Sequence, residues 1–346
     1  MTQSSVDADL LRPERLAPAL VTATGDEQWG RFEASLIAGG KSNLSYLLTS
    51  PAGELILRRP PTGDLLPSAH DMNREVRIQS ALAHTGVPVA TVVLSDPGDA
   101  TIGAPFYVME KVTGHIIRDA MPPGYADSAG ERLRLADALV DTLAELHALG
   151  PNDIGLGDFG RPDGFLARQL RRWSTQSHAS RTRETPALDE LAARLHASVP
   201  TTSRTTIVHG DYRLDNCLMD LVEPGRVAAV LDWELSTLGD PLTDLGMLLL
   251  YWPEAGEPGI PLVPTVTGDG GFPGRAHLLE RYADRSGTDL GQIGWYYAFA
   301  QFKFAVIIQG VQARSEAGAM GGQRFDNVDA DVDRLAATGL HILEES

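Results

Sequence analysis

Cysteine, lysine and long apolar runs are scarce in this sequence, and each scarcity excludes a class of protein. The single cysteine, Cys217, cannot form an internal disulfide or build a cysteine-rich metal site. The longest apolar run, residues 295–313, is interrupted by Gln301, Lys303 and Gln309 among others, so it predicts a buried helix and not a membrane span. The first ten residues are polar and acidic and lack the pattern of a secretion signal, so we expect a cytoplasmic protein.

Positive charge is also in short supply. The chain of 346 residues carries 46 acidic and 29 basic side chains, which gives a net charge of -17. Such a charge disfavours nucleic acids and anionic membranes as partners. Lys41, Lys111 and Lys303 are the only lysines, which matters because lysine is a common ligand of phosphate groups.

The order of predicted elements divides the chain into two parts. Strands are predicted at 32–37, 44–49, 55–58, 89–94 and 105–109, with helices at 12–20 and 70–84. Beyond residue 114, helices are predicted at 131–149, 166–173 and 186–198, and short strands at 207–208 and 227–231. We therefore predict an α+β fold with an N-terminal extension at 1–30, a sheet-containing first lobe at 31–112 and a mainly helical second lobe at 113–346.

The segment most informative about chemistry is VHGDYRLDN at 208–216, followed by VLDWE at 230–234. It sets Asp211, Asn216 and Asp232 on short loops beside predicted strands. Such oxygen donors suit Mg²⁺, which takes a few protein ligands and leaves its other positions to phosphates and water. A further carboxylate on the same loop can act as a base toward an attacking hydroxyl. The pattern therefore favours magnesium-dependent phosphoryl transfer.

This loop resembles that of the aminoglycoside phosphotransferase and choline kinase family, relatives of the protein kinases. The family pattern H-G-D-x-x-x-x-N is met by His209, Gly210, Asp211 and Asn216. The resemblance implies a bilobal protein kinase-like fold with ATP and Mg²⁺ as cofactors, Asp211 as catalytic base and Asn216 as a metal ligand. Asp232 stands where protein kinases have the Asp of D-F-G, which implies the second metal ligand.

The resemblance extends to the first lobe. Residues 38–43 (AGGKSN) form a glycine-rich turn between two predicted strands, where kinases cover the phosphates. The third strand ends in Arg58 and Arg59 with no lysine. Strand alternation leaves open which arginine points inward, and Arg58 is preferred because choline kinase-like relatives use arginine here. The nucleotide-binding candidates are Gly39, Gly40, Ser42, Asn43, Arg58, Met109, Glu110 and Val112.

Three further features of the family assign supporting roles. Glu75 on the first-lobe helix is the expected partner of Arg58 and joins it as a catalytic candidate, although a solvent-facing carboxylate is an alternative. We interpret Asp240 and Asp244 as helix-capping and loop-bracing residues. His147 is expected to be a packed, hydrogen-bonded histidine and not a catalyst.

The sequence is compatible with more than one class of phosphate acceptor. The segments at 57–75 and 155–173 resemble the phosphotransferase-type domain found alone in actinobacteria and fused ahead of acyl-CoA dehydrogenases in animals. Four arginines near the second segment favour an anionic, hydroxyacyl-CoA-like acceptor, unless they form only a solvated helix face. They are Arg161, Arg168, Arg171 and Arg172. An amino sugar such as an aminoglycoside is the alternative acceptor. The alternative function is that of a nucleotide-binding regulatory pseudokinase. A monomer and a homodimer are both compatible with the sequence.

Overall fold

The computed structural model describes residues 10–37, 43–62, 71–202, 204–316 and 328–345. The chain forms two compact units. We call Met1–Gly114 with Ala228–Glu234 the sheet unit, and His115–Val227 with Leu235–Ser346 the helical unit.

The sheet unit is built on five antiparallel strands in the order β1-β2-β3-β5-β4. Its described helices and strands are α1 (Pro13–Thr24), β1 (Glu33–Leu36), β2 (Leu44–Ser50), β3 (Gly53–Arg59), α2 (Met72–Leu82), β4 (Val92–Asp96) and β5 (Phe106–Glu110). In the register of β3 and β5, Arg58 lies opposite Tyr107 and Ile56 lies opposite Met109. This pairing brings the end of the arginine-bearing strand beside the start of β5.

The helix α1 belongs to the core of the sheet unit. It begins with Pro13, whose fixed φ suits the first helical position, and its C-cap is Gly25 in the left-handed conformation. Leu16 and Leu20, one turn apart, are fully buried. They pack with the following inward side chains of the sheet and neighbouring loops: Leu11, Trp29, Tyr46, Leu48, Leu55, Leu57, Ile102, Phe106 and Val108. Residues 11–29 of the predicted extension at 1–30 therefore supply part of a hydrophobic core, because the apolar side of α1 covers one face of the sheet.

The helical unit contains most of the described helices. They are α3 (Ala129–Ala148), α4 (Phe165–Ala179), α5 (Pro186–Ala197), α6 (Leu242–Leu250), α7 (Arg275–Ser286), α8 (Ile293–Glu316) and α9 (Val328–Glu345). Its short strands are β6 (Thr206–Val208), β7 (Cys217–Met219) and β9 (Thr237–Gly239). A further short strand, β8 (Val227–Val230), has its first residue in this unit and the other three in the sheet unit. β6 pairs antiparallel with β9, a strand that we had not predicted.

Helix α8 lies at the centre of the helical unit and is buried along most of its length. A Cβ on Gly246 of α6 would lie 2.6 Å from the carbonyl oxygen of Tyr296, so a glycine permits the close approach of α6 and α8. None of the helices in the described ranges is both long and apolar enough to cross a lipid bilayer. A five-stranded antiparallel sheet with a mainly helical second half confirms the predicted kinase-like α+β fold.

Candidate active site

The loop that carries Asp211 follows β6 and is anchored by its backbone. Gly210 has φ +87°, and a Cβ there would lie 2.7 Å from the carbonyl oxygen of Leu235. Only glycine takes this conformation without strain. The backbone N–H groups of His209 and Gly210 donate to the two carboxylate oxygens of Asp244, at 2.6 and 2.8 Å. The start of the H-G-D motif is therefore pinned to α6.

Asp244 is fully buried and is the centre of a polar network. His147 Nε2 lies 3.3 Å from its Oδ2, and His147 Nδ1 lies 2.7 Å from the hydroxyl of Tyr282. Burial opposes ionisation of Asp244, but hydrogen bonding to His147 and the nearby N–H groups lower its pKa below the ordinary value. Asp240 accepts the N–H of Leu242 at the start of α6, at 3.0 Å. The predicted bracing roles of both aspartates and the packed role of His147 are confirmed.

Asp211 is held by donors on both carboxylate oxygens. Tyr251 donates its hydroxyl to Oδ1 at 3.0 Å, and Asn216 donates its amide N–H to Oδ2 at 3.0 Å. The guanidinium of Arg213 lies 3.2 Å from Oδ2 and 5.2 Å from the ring centroid of Tyr251. The structure therefore brings Asp211 and Asn216 together and fixes the carboxylate in one orientation.

Tyr251 and Arg213 were missed by the sequence analysis. Burial, followed by the charge of Asp211, raises the pKa of Tyr251 well above its ordinary value, so its hydroxyl remains a donor at neutral pH. The tyrosine lies forty residues from Asp211 with no local pattern to connect them. Arg213 fills one of the variable positions of the H-G-D-x-x-x-x-N motif, which gives no signal of its own.

In the sheet unit, Arg58 and Glu75 form an ion pair, with Arg58 Nε 3.2 Å from Glu75 Oε2. Glu75 is only 1% exposed, so the alternative of a solvent-facing carboxylate is wrong. Its two oxygens accept the Tyr107 hydroxyl at 2.7 Å and the Asn43 amide at 2.9 Å. Arg58 Nη2 also donates to Asp232 at 3.2 Å. Four predicted site residues thus meet within one unit.

The choice between the two strand arginines follows from the pleat of β3. Successive side chains of a strand point to opposite faces. Arg58 lies beside Glu75, whereas Arg59 donates to the backbone carbonyl oxygens of Leu10 at 2.6 Å and Pro60 at 3.2 Å. Arg59 therefore stabilises the chain segment that precedes α1. Arg58 is the cation of the group formed by Asn43, Arg58, Glu75 and Asp232, which we call the Glu75 cluster.

Asp232 has an unusual backbone. Its φ is +64°, in the left-handed region that non-glycine residues rarely adopt. Such a conformation costs on the order of 1 kcal/mol and persists where the surroundings impose it, often at functional sites. The flanking residues are fixed: Trp233 donates its indole N–H to the carbonyl of Val230 at 3.0 Å, and Asn43 donates to Glu234 at 3.3 Å.

The remaining nucleotide-binding candidates lie along β5 or outside the described residues. Met109 is buried in an apolar cluster with Met72 and Ala90, and Val112 packs against the same cluster. Glu110 is exposed at the end of β5. The loop residues that were predicted to cover the phosphates lie outside the described residues; they are Gly39, Gly40 and Ser42.

Comparisons with known proteins agree with this geometry. A family described as "Phosphotransferase enzyme family" matches residues 33–296. Acyl-CoA dehydrogenase family member 11 of Rattus norvegicus is 38% identical over 311 residues, which cover 88% of this chain but only 39% of that protein. The chain thus spans about two fifths of the length of this curated relative.

Solved structures give the same result for the fold. A crystal structure from Ralstonia eutropha JMP134, named as a candidate aminoglycoside phosphotransferase, has a TM-score of 0.77 and 33% identity over 91% of this chain and 93% of that one. ADP-bound aminoglycoside phosphotransferase APH(2'')-Ib, at 15% identity, shares the fold with a TM-score of 0.54 over 90% of this chain and 94% of that one. Together with the family match, these likenesses show that the chain belongs to the phosphotransferase enzyme family.

Proposed function

We propose that the protein is an ATP-dependent phosphotransferase that transfers the γ-phosphate to a hydroxyl of a small molecule. The observation that carries the proposal is the fixed orientation of Asp211. Its carboxylate is held by Tyr251 and Asn216 on a loop whose backbone is pinned by Asp244. A carboxylate with one orientation is suited to receive the proton of an acceptor hydroxyl as that hydroxyl attacks phosphorus.

The Glu75 cluster supports a role in positioning the nucleotide. Arg58 is held from one side by Glu75 and from the other by Asp232. A guanidinium can bind two oxygens of a phosphate at once, so Arg58 can replace the usual lysine on the α- and β-phosphates. Glu75 is then a positioning residue, because it acts through Arg58. We expect Glu75→Gln to raise the KM for ATP by about tenfold while the enzyme stays folded.

The chemistry of the donors also supports a magnesium site. Asn216 uses its amide nitrogen within the loop, which leaves the amide oxygen as the ligand atom. The Asp232 side chain is 35% exposed and can offer a carboxylate oxygen. Hard oxygen donors of this kind are those that Mg²⁺ prefers. We assign Asn216 and Asp232 as its protein ligands; a bound ion would neutralise charge on the β- and γ-phosphate oxygens.

The adenine-binding residues are proposed from the chain around β5. Met109 and Val112 contribute to an apolar cluster, which is the environment that a purine ring needs. The backbone of Glu110 and Val112 supplies the polar atoms for its edge, as the family resemblance implies. The glycine-rich loop with Gly39, Gly40 and Ser42 completes the proposed nucleotide site. One phosphotransferase with this fold is named as ADP-bound, which supports the use of a nucleotide.

Replacement of Asp211 tests the enzymatic role directly. We expect Asp211→Asn to lower kcat by roughly 10²–10⁴ with ATP affinity retained, because a general base contributes about that much. The measurement is transfer of labelled phosphate from ATP with and without Mg²⁺, alongside binding of a fluorescent ATP analogue. Asp284→Asn, an exposed aspartate of α7, is the matched control and should keep full activity. Unchanged turnover in Asp211→Asn would refute the assignment.

Two acceptor classes and one rival function remain to be separated by experiment. The relative named acyl-CoA dehydrogenase family member 11 supports a hydroxyacyl-CoA or another hydroxylated metabolite, and the structures named for aminoglycosides support an amino sugar. Label transferred only to kanamycin-type sugars would reject the first class. Tight ATP binding with no transfer to any acceptor would favour a regulatory pseudokinase, although the intact Arg58–Glu75 pair argues for catalysis.

A further inference from the structure

A cavity of about 120 Å³ lies in the helical unit beside the loop that carries Asp211. Its wall includes Gly210, the residue directly before Asp211. Helices α4 and α8 contribute Gln169, Arg172, Trp173 and Lys303 to the lining. A molecule bound in this cavity would therefore lie next to the proposed base.

The cavity presents two cations around one indole ring. Lys303 Nζ lies 5.7 Å from the ring centroid of Trp173, and the guanidinium carbon of Arg172 lies 5.8 Å from it. Lys303 Nζ also donates to the carbonyl oxygen of Gly210 at 3.0 Å. Among the described residues, neither Lys303 nor Arg172 forms an ion pair. The two neighbouring carboxylates pair with other groups, Asp244 with His147 and Asp211 with Arg213.

The negatively charged group in the cavity lining is already hydrogen-bonded to the backbone. Asp244 is the only carboxylate among the described lining residues, and its oxygens accept the N–H groups of His209 and Gly210. Burial lowers the pKa of Lys303, while the charges of Asp211 and Asp244 oppose this effect. An anion placed in the cavity would add to that opposing effect and favour the protonated ammonium.

The neighbouring arginines do not share this role. Arg168 donates to the backbone carbonyls of Asp163 and Arg161 and so stabilises its own loop. Arg171 is exposed and does not line the cavity. The arginine-rich stretch of α4 thus directs one guanidinium, that of Arg172, to the cavity.

We infer that this cavity binds an anionic oxygen group of the acceptor, a carboxylate or a phosphate, through Lys303 and Arg172; the inference rests on the proposed phosphotransferase function. Two cations that form no ion pair with a described carboxylate provide a site for anionic oxygens. The same pair repels a polycationic amino sugar, since like charges brought together at a binding site oppose association. The anionic group would thereby orient the acceptor so that its hydroxyl reaches Asp211.

Calorimetric titration tests this inference without requiring turnover. The probes are glycerate, 3-hydroxybutyrate and 6-hydroxyhexanoate, each beside its primary amide, and glycerol phosphate beside glycerol. A charge-assisted hydrogen bond is worth about 1.5–3 kcal/mol, so at least one anion should bind roughly tenfold or more tightly than its neutral counterpart. Asp211→Asn should retain this preference, because the anionic group does not contact the base.

Variants assign the preference to particular side chains. Lys303→Met and Arg172→Gln should each reduce the anion-over-neutral ratio by about tenfold. Lys303→Arg and Arg172→Lys keep the charge and should restore most of the ratio, which separates loss of charge from damage to the loop. Arg171→Gln is the matched control and should leave the ratio and the activity unchanged.

The results separate this inference from the proposed function. Equal binding of anions and neutral counterparts, or equal losses in Arg171→Gln and Arg172→Gln, would overturn the anion site. Anion binding with the expected variant pattern but without phosphate transfer in the wild type would support the site and refute the kinase. A preference for carboxylates over glycerol phosphate, or the reverse, would identify which anionic group the cavity takes.

Discussion

Asp244→Ala should strongly destabilise the helical unit, because it removes a fully buried carboxylate that serves several partners. Two backbone N–H groups, of His209 and Gly210, would lose their acceptor, and His147 would lose its charged partner. Each unsatisfied buried group costs about 1–3 kcal/mol, so three groups give roughly 3–6 kcal/mol if water enters part of the space. That is a large share of the ~5–15 kcal/mol that holds a typical domain folded.

The assay is urea unfolding followed by tryptophan fluorescence and by circular dichroism, since agreement of the two signals tests for a single transition. Asp244→Asn should fall between wild type and Asp244→Ala, because its amide oxygen can still accept one N–H. Asp284→Ala, at an exposed position of α7, is the control and should change the free energy of unfolding by less than about 0.5 kcal/mol.

Two results would refute this reasoning. A loss of less than about 1 kcal/mol in Asp244→Ala would mean that water or rearrangement satisfies the loop, so that the carboxylate is not what holds it. If Asp244→Asn were as stable as the wild type, the negative charge of Asp244 would contribute nothing to the free energy of unfolding beyond what a neutral side chain of the same shape provides.

Three further predictions concern the same loop. Tyr251→Phe removes a donor to Asp211 and should lower kcat by about tenfold with the KM for ATP unchanged, which steady-state kinetics would measure; an unchanged kcat would contradict the orienting role. Gly210→Ala would force a Cβ to 2.7 Å from the carbonyl oxygen of Leu235 and should cost roughly 2–4 kcal/mol in urea unfolding, so a fully stable variant would count against the observed backbone. The pKa of Asp244 is lowered in the folded state, so its contribution is complete above the unfolded value of about 3.9 and is lost as pH falls through the lower folded value. The stability difference between wild type and Asp244→Ala should therefore shrink between pH 5 and pH 2 (bounds chosen to span roughly that window), and a difference that grows on acidification would reverse the sign of this argument.

Local patterns predicted the elements that depend on local sequence. The five strands of the sheet and the helix that carries Glu75 were predicted near their observed positions, because each has its own periodicity and turn residues. The bracing by Asp240 and Asp244 was also predictable, since both stand at the start of a helix. The three-residue strand β9 was missed because so short a segment carries no periodicity.

Contacts between distant parts of the chain could not be predicted in this way. The alternation of side chains along a short strand does not show which face of the strand is the inner one. Arg58 and Arg59 could therefore be distinguished only from the position of Glu75, which pairs with Arg58. Tyr251, which directly follows α6, and Lys303 of α8 reach the Asp211 loop from far along the sequence. Their roles depend on how distant helices and loops pack together, and a single sequence does not reveal such contacts.

The packing of α1 has a practical consequence for anyone who shortens this protein. The family match begins at residue 33, after α1 and Trp29. A version trimmed to that boundary would lose Leu16 and Leu20 and leave a row of aromatic and aliphatic side chains on the sheet facing water. Exposed surfaces of this kind promote self-association. The trimmed protein should therefore collect in inclusion bodies, and limited proteolysis of the intact chain should spare α1.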